Sequence, residues 1–331
     1  MKLLYRRMIN MVIAVIGLGS MGKRRIRLIQ DMYSDYEIVG IDSRQDRRVN
    51  VAEQFGIICY ENLDSVSEEL DCVFICTSPL SHNSIIHQAL CKGLHVFTEL
   101  NLVPDGYEES MKLAAMNSCT LFLSSTFLYR EETRYIRKKV MNESWNYIYH
   151  IGQYLPDWHP WENYQDFFLG DKRTNGCREI LSIELPWLIE SFGNVIEIKS
   201  TSDKMTSLNI DYKDNFMLQL VHKNGSKGSV IVDVVSPVAV RKLEVYKENR
   251  YISWNGTPDT VYEFDSGKKK LERVILHEDA EHIEGYSSFI VENAYRNEIK
   301  EFFDVIFNNK KQLYSFEKDL TVLHLIDSIG A

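Results

Sequence analysis

Apolar residues in the first part of the chain alternate between short runs and longer helical patterns. Runs rich in β-branched residues predict strands at 12–16, 37–41, 56–59, 72–76, 95–97 and 121–124. Amphipathic stretches lie between them, including residues 20–32, 84–92 and 105–116. This alternation predicts an α/β domain in which a parallel, doubly wound sheet is covered by helices on both faces.

The pattern changes after Thr126. A charged helix is predicted at 130–142, and strands follow at 145–155, 195–200, 216–222, 228–235, 241–247 and 251–254. Turn signals such as Asn255-Gly256 join several of these strands, and two helices (291–308 and 316–328) close the chain. We therefore predict two domains, 1–126 and 127–331, the second being α+β with a large, mostly antiparallel sheet.

The first strand runs directly into a glycine motif. Gly17, Gly19 and Gly22 have G-x-G-x-x-G spacing, and Asp42 ends the next strand about 20 residues later, where a ribose-binding acid is expected. In such a turn the glycines permit the bend, the approach of a pyrophosphate, and close packing of helix on strand. The amino terminus of the following helix offers unpaired N–H groups to phosphate. The motif predicts a dinucleotide site.

Composition narrows the class of protein. The 331 residues suggest two domains, and 44% hydrophobic with 26% charged residues is typical of a soluble globular chain. The net charge of −9 argues against nucleic acid as the main partner. No run approaches the ~18 apolar residues of a membrane span. The basic, apolar opening continues into the glycine turn, so we interpret it as a strand and not as an export signal. Six scattered cysteines fit a reduced cytoplasmic setting.

Several segments together resemble one known family. GLGSMG (17–22), ICTSPLSH (75–82) and GLHVFTELN (93–101), with the patterns at 298–303 and 320–329, are similar to the Gfo/Idh/MocA oxidoreductases. The resemblance implies a Rossmann domain followed by an open-faced α+β domain. The sheet of that second domain would carry substrate on one side. Its other side would form a homo-oligomer, a dimer or tetramer.

The resemblance also implies particular cofactor contacts. The three glycines and the Ser20 and Met21 amides would hold the pyrophosphate, and Asp42 the adenosine ribose. Glu99 would contact the nicotinamide ribose, and Thr77, Ser78, Pro79 and His82 would line the nicotinamide side. Asp42 favours NAD because a carboxylate repels a 2′-phosphate. Ser43 and Arg44 leave NADP possible, since an arginine can pair with that phosphate.

The chain departs from the family at its proton-handling positions. The family's Glu-Lys-Pro is Glu99-Leu100-Asn101 here. In the second domain, Ile180 and Glu184 stand where the family has aspartate and histidine. Leucine can neither exchange a proton nor donate a hydrogen bond, whereas alcohol oxidation requires a proton acceptor.

Two interpretations follow from these departures. In the first, the protein is an NAD(P)-dependent dehydrogenase acting on a sugar, cyclitol or nucleotide sugar. His159 or Glu184 would then be the base, and Arg178 and Tyr164 would bind substrate. In the second, the protein is catalytically silent and binds a dinucleotide or sugar in a regulatory role. We expect no metal site: His82 and His87 are five residues apart and diverge on a helix. His277 and His282 have the same spacing with acidic neighbours, and we interpret them as part of a solvated loop or helix start.

Overall fold

A computed structural model describes residues 10–158, 162–277 and 291–331. The chain forms two units. Unit 1 comprises the described residues up to Ser125 together with Arg296–Leu320, and unit 2 comprises Thr126–Tyr295 with Thr321–Ala331. The sequence assigned everything beyond residue 126 to the second domain, whereas the structure returns residues 296–320 to the first.

Unit 1 contains a six-stranded sheet in the order β3-β2-β1-β4-β5-β6, and every pairing in it is parallel. The strands are β1 (Val12–Ile16), β2 (Glu37–Ile41), β3 (Ile58–Tyr60), β4 (Cys72–Ile75), β5 (His95–Thr98) and β6 (Leu121–Leu123). The helices among them are α1 (Ser20–Met32), α2 (Gln45–Phe55), α3 (Pro79–Cys91) and α4 (Tyr107–Met116). The predicted Rossmann-type α/β fold is confirmed.

The strand order of unit 1 determines where a ligand can bind. The chain runs outward from β1 to β2 and β3, and then returns to the other side of β1 with β4. In open parallel sheets this reversal leaves a crevice beyond the carboxyl ends of the strands, and ligands bind there. The glycine turn after β1 and the loop after β4 both lie at this edge.

An aromatic cluster explains why residues beyond 295 belong to unit 1. Phe302 of α7 (Glu292–Asn308) meets the rings of Phe74, Phe97 and Phe122 edge-on, with centroid distances of 5.2, 5.6 and 5.7 Å. All four side chains are buried completely. Edge-to-face aromatic pairs add to the hydrophobic gain of this burial. Helical periodicity predicted α7 but could not show which sheet it covers.

Unit 2 contains an eight-stranded sheet in the order β14-β13-β12-β11-β7-β10-β9-β8. Its strands are β7 (Asn146–Gly152), β8 (Val195–Asp203), β9 (Asn215–His222), β10 (Lys227–Asp233), β11 (Val240–Lys247), β12 (Arg250–Trp254), β13 (Tyr262–Asp265) and β14 (Lys270–Arg273). The β7–β10 pairing is parallel and the others are antiparallel. The predicted α+β class is confirmed; β13 and β14 were not predicted.

One face of this sheet packs on helix α6 (Gly176–Phe192). Tyr147 and Tyr149 alternate inward along β7: the first stacks on Phe192 at 4.3 Å and the second meets Trp187 edge-on at 5.6 Å. Ile148, between them, is 44% exposed on the opposite face. Helices α5 (Glu131–Val140) and α8 (Phe316–Ser328) complete the regular structure of the described chain.

Candidate functional sites in the two units

The glycine turn of unit 1 is built so that two of its glycines cannot be replaced. Gly17 has φ +93°, and a Cβ there would lie 2.7 Å from the carbonyl oxygen of Cys76. A Cβ on Gly22 would lie 2.0 Å from the carbonyl oxygen of Gly17. Gly19 differs, because a Cβ there would approach only the Arg47 guanidinium, at 3.9 Å. The space beside Gly19 is therefore open toward a ligand.

Helix α1 begins directly after this open space. Ser20 is its first residue and Gly19 is the N-cap residue. No side chain caps this amino terminus with a hydrogen bond. The first N–H groups of a helix have no partner within the helix and carry the positive end of its dipole, so they bind phosphate well. The turn thus has both the room and the donors that a pyrophosphate needs.

Asp42 is held beside the same turn. One carboxylate oxygen accepts the Leu18 N–H at 2.8 Å, and the other accepts the Arg44 N–H at 2.9 Å. The Arg47 guanidinium lies 3.5 Å from the first oxygen. The Arg44 side chain turns instead to Asp46, with which it forms an exposed ion pair. The carboxylate is therefore fixed at the end of β2, where the ribose of a dinucleotide would lie.

His82 links the two loops at the other side of the crevice. It is buried on α3, with Nε2 at 2.9 Å from the Thr77 carbonyl oxygen and Nδ1 in contact with the Asn101 side chain. Burial lowers the pKa of His82, although both hydrogen bonds oppose this shift. Asn101, at the position of the proline in the Glu-Lys-Pro motif, is thus a hydrogen-bonding partner of His82. Thr77, Ser78 and Pro79 form the start of α3 beside it.

Glu99 belongs to a buried ionic cluster that sequence reasoning missed. Arg25 of α1 contacts Glu99 through Nε at 2.6 Å and Glu298 of α7 through Nη2 at 2.7 Å. The Ser125 N–H and the Ser124 hydroxyl also donate to Glu298. The cluster holds two carboxylates and one guanidinium. Burial raises the pKa of Glu298 and Glu99 raises it further, whereas Arg25 opposes both. In the sequence Arg25 was one of four clustered basic residues, and its burial could not be foreseen.

Unit 2 contains a cavity of about 250 Å³. Most of its lining is apolar: Phe127, Ile151, Trp158, Ile180, Ile183, Val240, Val291 and Ala294. Its polar side chains are Thr126, Arg130, Gln153, Arg241 and Tyr295. The volume is below the ~300–1,000 Å³ of sites that hold drug-sized ligands. One ring and its substituents would fit.

Arg241 stands in the cavity wall and is held from behind by Glu184. Its Nε and Nη2 donate to Oε1 of Glu184 at 3.1 and 2.8 Å. The Tyr149 hydroxyl and the Trp187 indole N–H donate to Oε2 at 2.7 and 2.6 Å. Both oxygens of this buried carboxylate are thus engaged, and Glu184 itself does not line the cavity.

Arg130 forms the second cationic part of the wall. It pairs with Glu132 at 3.0 Å and donates to the Gly256 carbonyl at 2.9 Å. Glu132 also contacts His277 Nε2 at 2.7 Å. Burial disfavours the charged carboxylate, but Arg130 and the hydrogen bonds outweigh it and lower the pKa of Glu132.

The other predicted substrate residues of unit 2 lie apart from the cavity lining. Arg178 contacts Asp327 at 2.7 Å and the Ala331 carbonyl oxygen at 2.8 Å. The Tyr164 hydroxyl accepts the Asn209 N–H at 3.2 Å. His159 lies outside the described residues. Ile180 and Glu184 stand where the resembled family has aspartate and histidine. Of these two residues, Ile180 lines the cavity.

Among the described residues, no group of three His, Cys, Asp or Glu side chains could hold a metal ion. No helix in the described ranges has the length and apolar character needed to cross a membrane.

Comparison with known proteins agrees with this geometry. Residues 11–124 match the model of the Gfo/Idh/MocA oxidoreductase family, described as having an NAD-binding Rossmann fold. A curated relative, mouse biliverdin reductase A, is 30% identical over 132 residues, which are 39% of this chain and 44% of that protein. The match therefore spans less than half of the relative.

Solved structures of similar fold cover nearly the whole chain. The UDP-N-acetylglucosamine 3-dehydrogenase of Acidithiobacillus ferrooxidans superimposes with a TM-score of 0.75 at 15% identity, covering 97% of each chain. The Synechocystis biliverdin reductase, solved with biliverdin and NADP+, gives 0.75 at 18% identity over 96% of this chain and 97% of that one. Residues 11–124 thus match the NAD-binding Rossmann domain of the Gfo/Idh/MocA oxidoreductases. The chain as a whole shares the fold of these solved structures.

Proposed function

We propose that the protein is an NAD(P)-dependent oxidoreductase whose substrate, a sugar or sugar derivative, is bound in the cavity of unit 2. The observation that carries the proposal is the glycine turn, where space beside Gly19, uncapped N–H groups of α1 and the fixed carboxylate of Asp42 meet. These groups suit the pyrophosphate and ribose of a dinucleotide. When bound, the nicotinamide would accept or supply a hydride.

The cofactor preference is proposed to be NAD, with NADP possible. Asp42 would accept hydrogen bonds from ribose hydroxyls and would repel a 2′-phosphate. Arg47, 3.5 Å from that carboxylate and 40% exposed, supports residual NADP binding because it could pair with the phosphate.

Oxidation of a hydroxyl group would require a proton acceptor at a position other than 100 or 180. Leu100 and Ile180 cannot exchange protons, and His159 remains a candidate base from its place in the sequence. Glu184 accepts four hydrogen bonds, and this arrangement supports a role in positioning Arg241 more than a role as an accessible base.

A reductase of a conjugated substrate is a second candidate. The curated relative is a biliverdin reductase, and the mainly apolar cavity, although too small for a whole tetrapyrrole, could receive one of its rings. Hydride addition to a conjugated system does not begin by removing a hydroxyl proton, so the apolar residues at positions 100 and 180 would not prevent it. A catalytically silent dinucleotide-binding protein is the remaining alternative.

One experiment separates these functions. The purified chain is mixed with NADH or NADPH, or with their oxidised forms, and absorbance in the reduced-nicotinamide band is followed while substrates are added. Sugars, uronic acids, nucleotide sugars and biliverdin form the panel. Turnover with a sugar derivative supports the proposal, and turnover with biliverdin alone supports the second candidate. Cofactor binding without any turnover would favour the silent alternative.

We also propose that the chain forms a homo-oligomer through the sheet face opposite α6. Ile148, Met217 and Tyr246 are exposed apolar side chains of that sheet, on strands β7, β9 and β11. These side chains share one face, with polar residues between them, so the proposal rests on their exposure together with the resemblance to the oligomeric family. Light scattering of Ile148→Lys and Met217→Lys should show smaller particles than the parent chain, and an unchanged mass would contradict the proposal.

A further inference from the structure

The strongest unassigned feature is the pair of guanidinium groups in the cavity wall of unit 2. We propose that Arg241, assisted by Arg130, binds a carboxylate group of the ligand, so that the cavity selects acids over neutral molecules of the same shape. This inference rests on the proposed function, because it names the chemical class of substrate that the same cavity would take.

The two guanidinium groups lie close enough together to serve one ligand. Both guanidinium groups lie against the same ring: the Arg241 Cζ is 4.6 Å and the Arg130 Cζ 5.1 Å from the centroid of Phe127. Arg130 also lies over Trp254 at 4.9 Å. All three residues Phe127, Arg130 and Arg241 line the cavity. Two cationic groups are therefore held against one aromatic side chain at the cavity surface.

Arg241 is held in one position by neighbouring side chains before any ligand binds. Two nitrogens of the Arg241 guanidinium donate hydrogen bonds to the Glu184 carboxylate. Tyr149 and Trp187 donate to the other oxygen of Glu184 and so fix its position. The side chain of Arg241 is only 14% exposed. Because the Arg241 side chain is already fixed in place, little of its conformational entropy is lost when a ligand binds. The hydrogen bonds that it donates to an acid are charge-assisted.

The cost of desolvation favours a carboxylate over a more highly charged group. Glu184 holds Arg241 and Glu132 holds Arg130, so both guanidinium groups are kept in place by buried carboxylates. A doubly charged phosphate costs more to transfer from water into this cavity wall than a singly charged carboxylate does. Ile180, also in the lining, adds no negative charge to repel an acid.

The cavity also limits the rest of the ligand. Its volume of about 250 Å³ accepts one ring, and Trp158, Ile151 and Ile183 provide apolar surface for its face. A ligand with one carboxylate and one compact ring therefore matches the charge, size and polarity of the lining. Uronic acids and aromatic carboxylic acids both meet this description.

Calorimetry of the full-length protein tests the inference with matched probes. Glucuronate is compared with glucose, benzoate with benzyl alcohol, and glucose 6-phosphate serves as the doubly charged probe. We expect an acid to bind at least ~10-fold more tightly than its neutral counterpart, the usual effect of a charge-assisted hydrogen bond. Equal binding of acid and neutral probes, no binding of either acid, or a preference for the phosphate would overturn the inference.

Variants locate the effect. Arg241→Gln should remove most of the acid preference, whereas the control Arg250→Gln should keep it, since Arg250 pairs with Glu143 at the surface. Arg241→Gln also strands the buried Glu184, so the double variant Arg241→Met/Glu184→Leu provides a neutral core that folds more readily. Ile180→Asp keeps both arginines and should weaken acid binding by repulsion. Acid preference that survives in the double variant would refute the assignment.

The inference and the proposed function can fail separately. If acids bind through Arg241 but no substrate is ever turned over, the carboxylate site stands and the oxidoreductase proposal fails. If an acid and its neutral counterpart are turned over equally well by the parent chain, and the double variant changes neither rate, the oxidoreductase proposal stands and the carboxylate site fails.

Discussion

Replacing Arg25 by methionine tests the buried ionic cluster of unit 1. The guanidinium contacts Glu99 and Glu298 and lies 4.6 Å from the centroid of Phe97, with its side chain completely buried. Methionine has a similar length and fills much of the same space. The substitution therefore removes mainly the charge and its hydrogen bonds. Two carboxylates then remain together without a cation.

The expected loss of stability is large. Breaking a buried ion pair by removing one partner costs about 3–5 kcal/mol, because the remaining charge stays buried. The control is Arg296→Met in the same unit, whose ion pair with Asp31 is partly exposed at 26% and 49%. Exposed pairs contribute only about 0–1 kcal/mol. The difference between the two variants isolates the effect of burial.

The loss should depend on pH in a defined direction. Burial already raises the pKa of Glu298 above its ordinary 4.5, and Arg25 opposes that rise, so its removal raises the pKa further. When a carboxyl group has a higher pKa in the folded protein than in the unfolded chain, the free energy of unfolding decreases as pH rises from the unfolded-state pKa to the folded-state pKa. The deficit of Arg25→Met should therefore be smallest near pH 5 and largest above neutrality.

Urea unfolding measures this deficit. All five tryptophans occur between residues 145 and 254, so their fluorescence reports unit 2, while circular dichroism reports both units. We expect the circular dichroism transition of Arg25→Met to shift to lower urea at pH 7.5, with a tryptophan transition that changes less. A deficit below 1 kcal/mol, or one that is the same at pH 5 and pH 7.5, would refute the reasoning.

Four further substitutions test the crevice. Gly22→Ala should prevent unit 1 from folding and abolish dinucleotide binding, since its Cβ would lie 2.0 Å from a carbonyl oxygen. Gly19→Ala should fold and lose only cofactor affinity, because the space beside Gly19 is open. Equal behaviour of the two variants in calorimetry and circular dichroism would contradict this. Asp42→Asn should weaken NAD by about 10-fold and shift the NAD to NADP ratio toward NADP, and an unchanged ratio of dissociation constants would show that this carboxylate does not read the ribose. Leu100→Lys should not create glucose or inositol dehydrogenase activity, because Ile180 still offers no polar group; robust turnover of either sugar would prove this wrong.

Local patterns were sufficient to predict the fold class. Short apolar runs rich in β-branched residues located the six strands of unit 1, because the central strands of a parallel sheet are buried on both faces and are apolar throughout. The short strands β13 and β14, of which β14 forms the sheet edge, were missed since Tyr262–Asp265 and Lys270–Arg273 mix charged residues with aromatic or aliphatic ones. Strands at a sheet edge are less buried and so carry a weaker hydrophobic signal.

The sequence by itself determined the glycine turn and the acid at the end of β2, because both depend on backbone geometry over a short stretch of chain. Only the tertiary structure decided which charges became buried partners. Arg25 meets Glu298 across 273 residues, and Arg241 meets Glu184 across 57. Such pairings depend on how helices dock on sheets, and a one-dimensional pattern does not record that docking. The carboxylate site and the cofactor crevice therefore differ in origin: the second follows from local spacing, and the first from long-range packing.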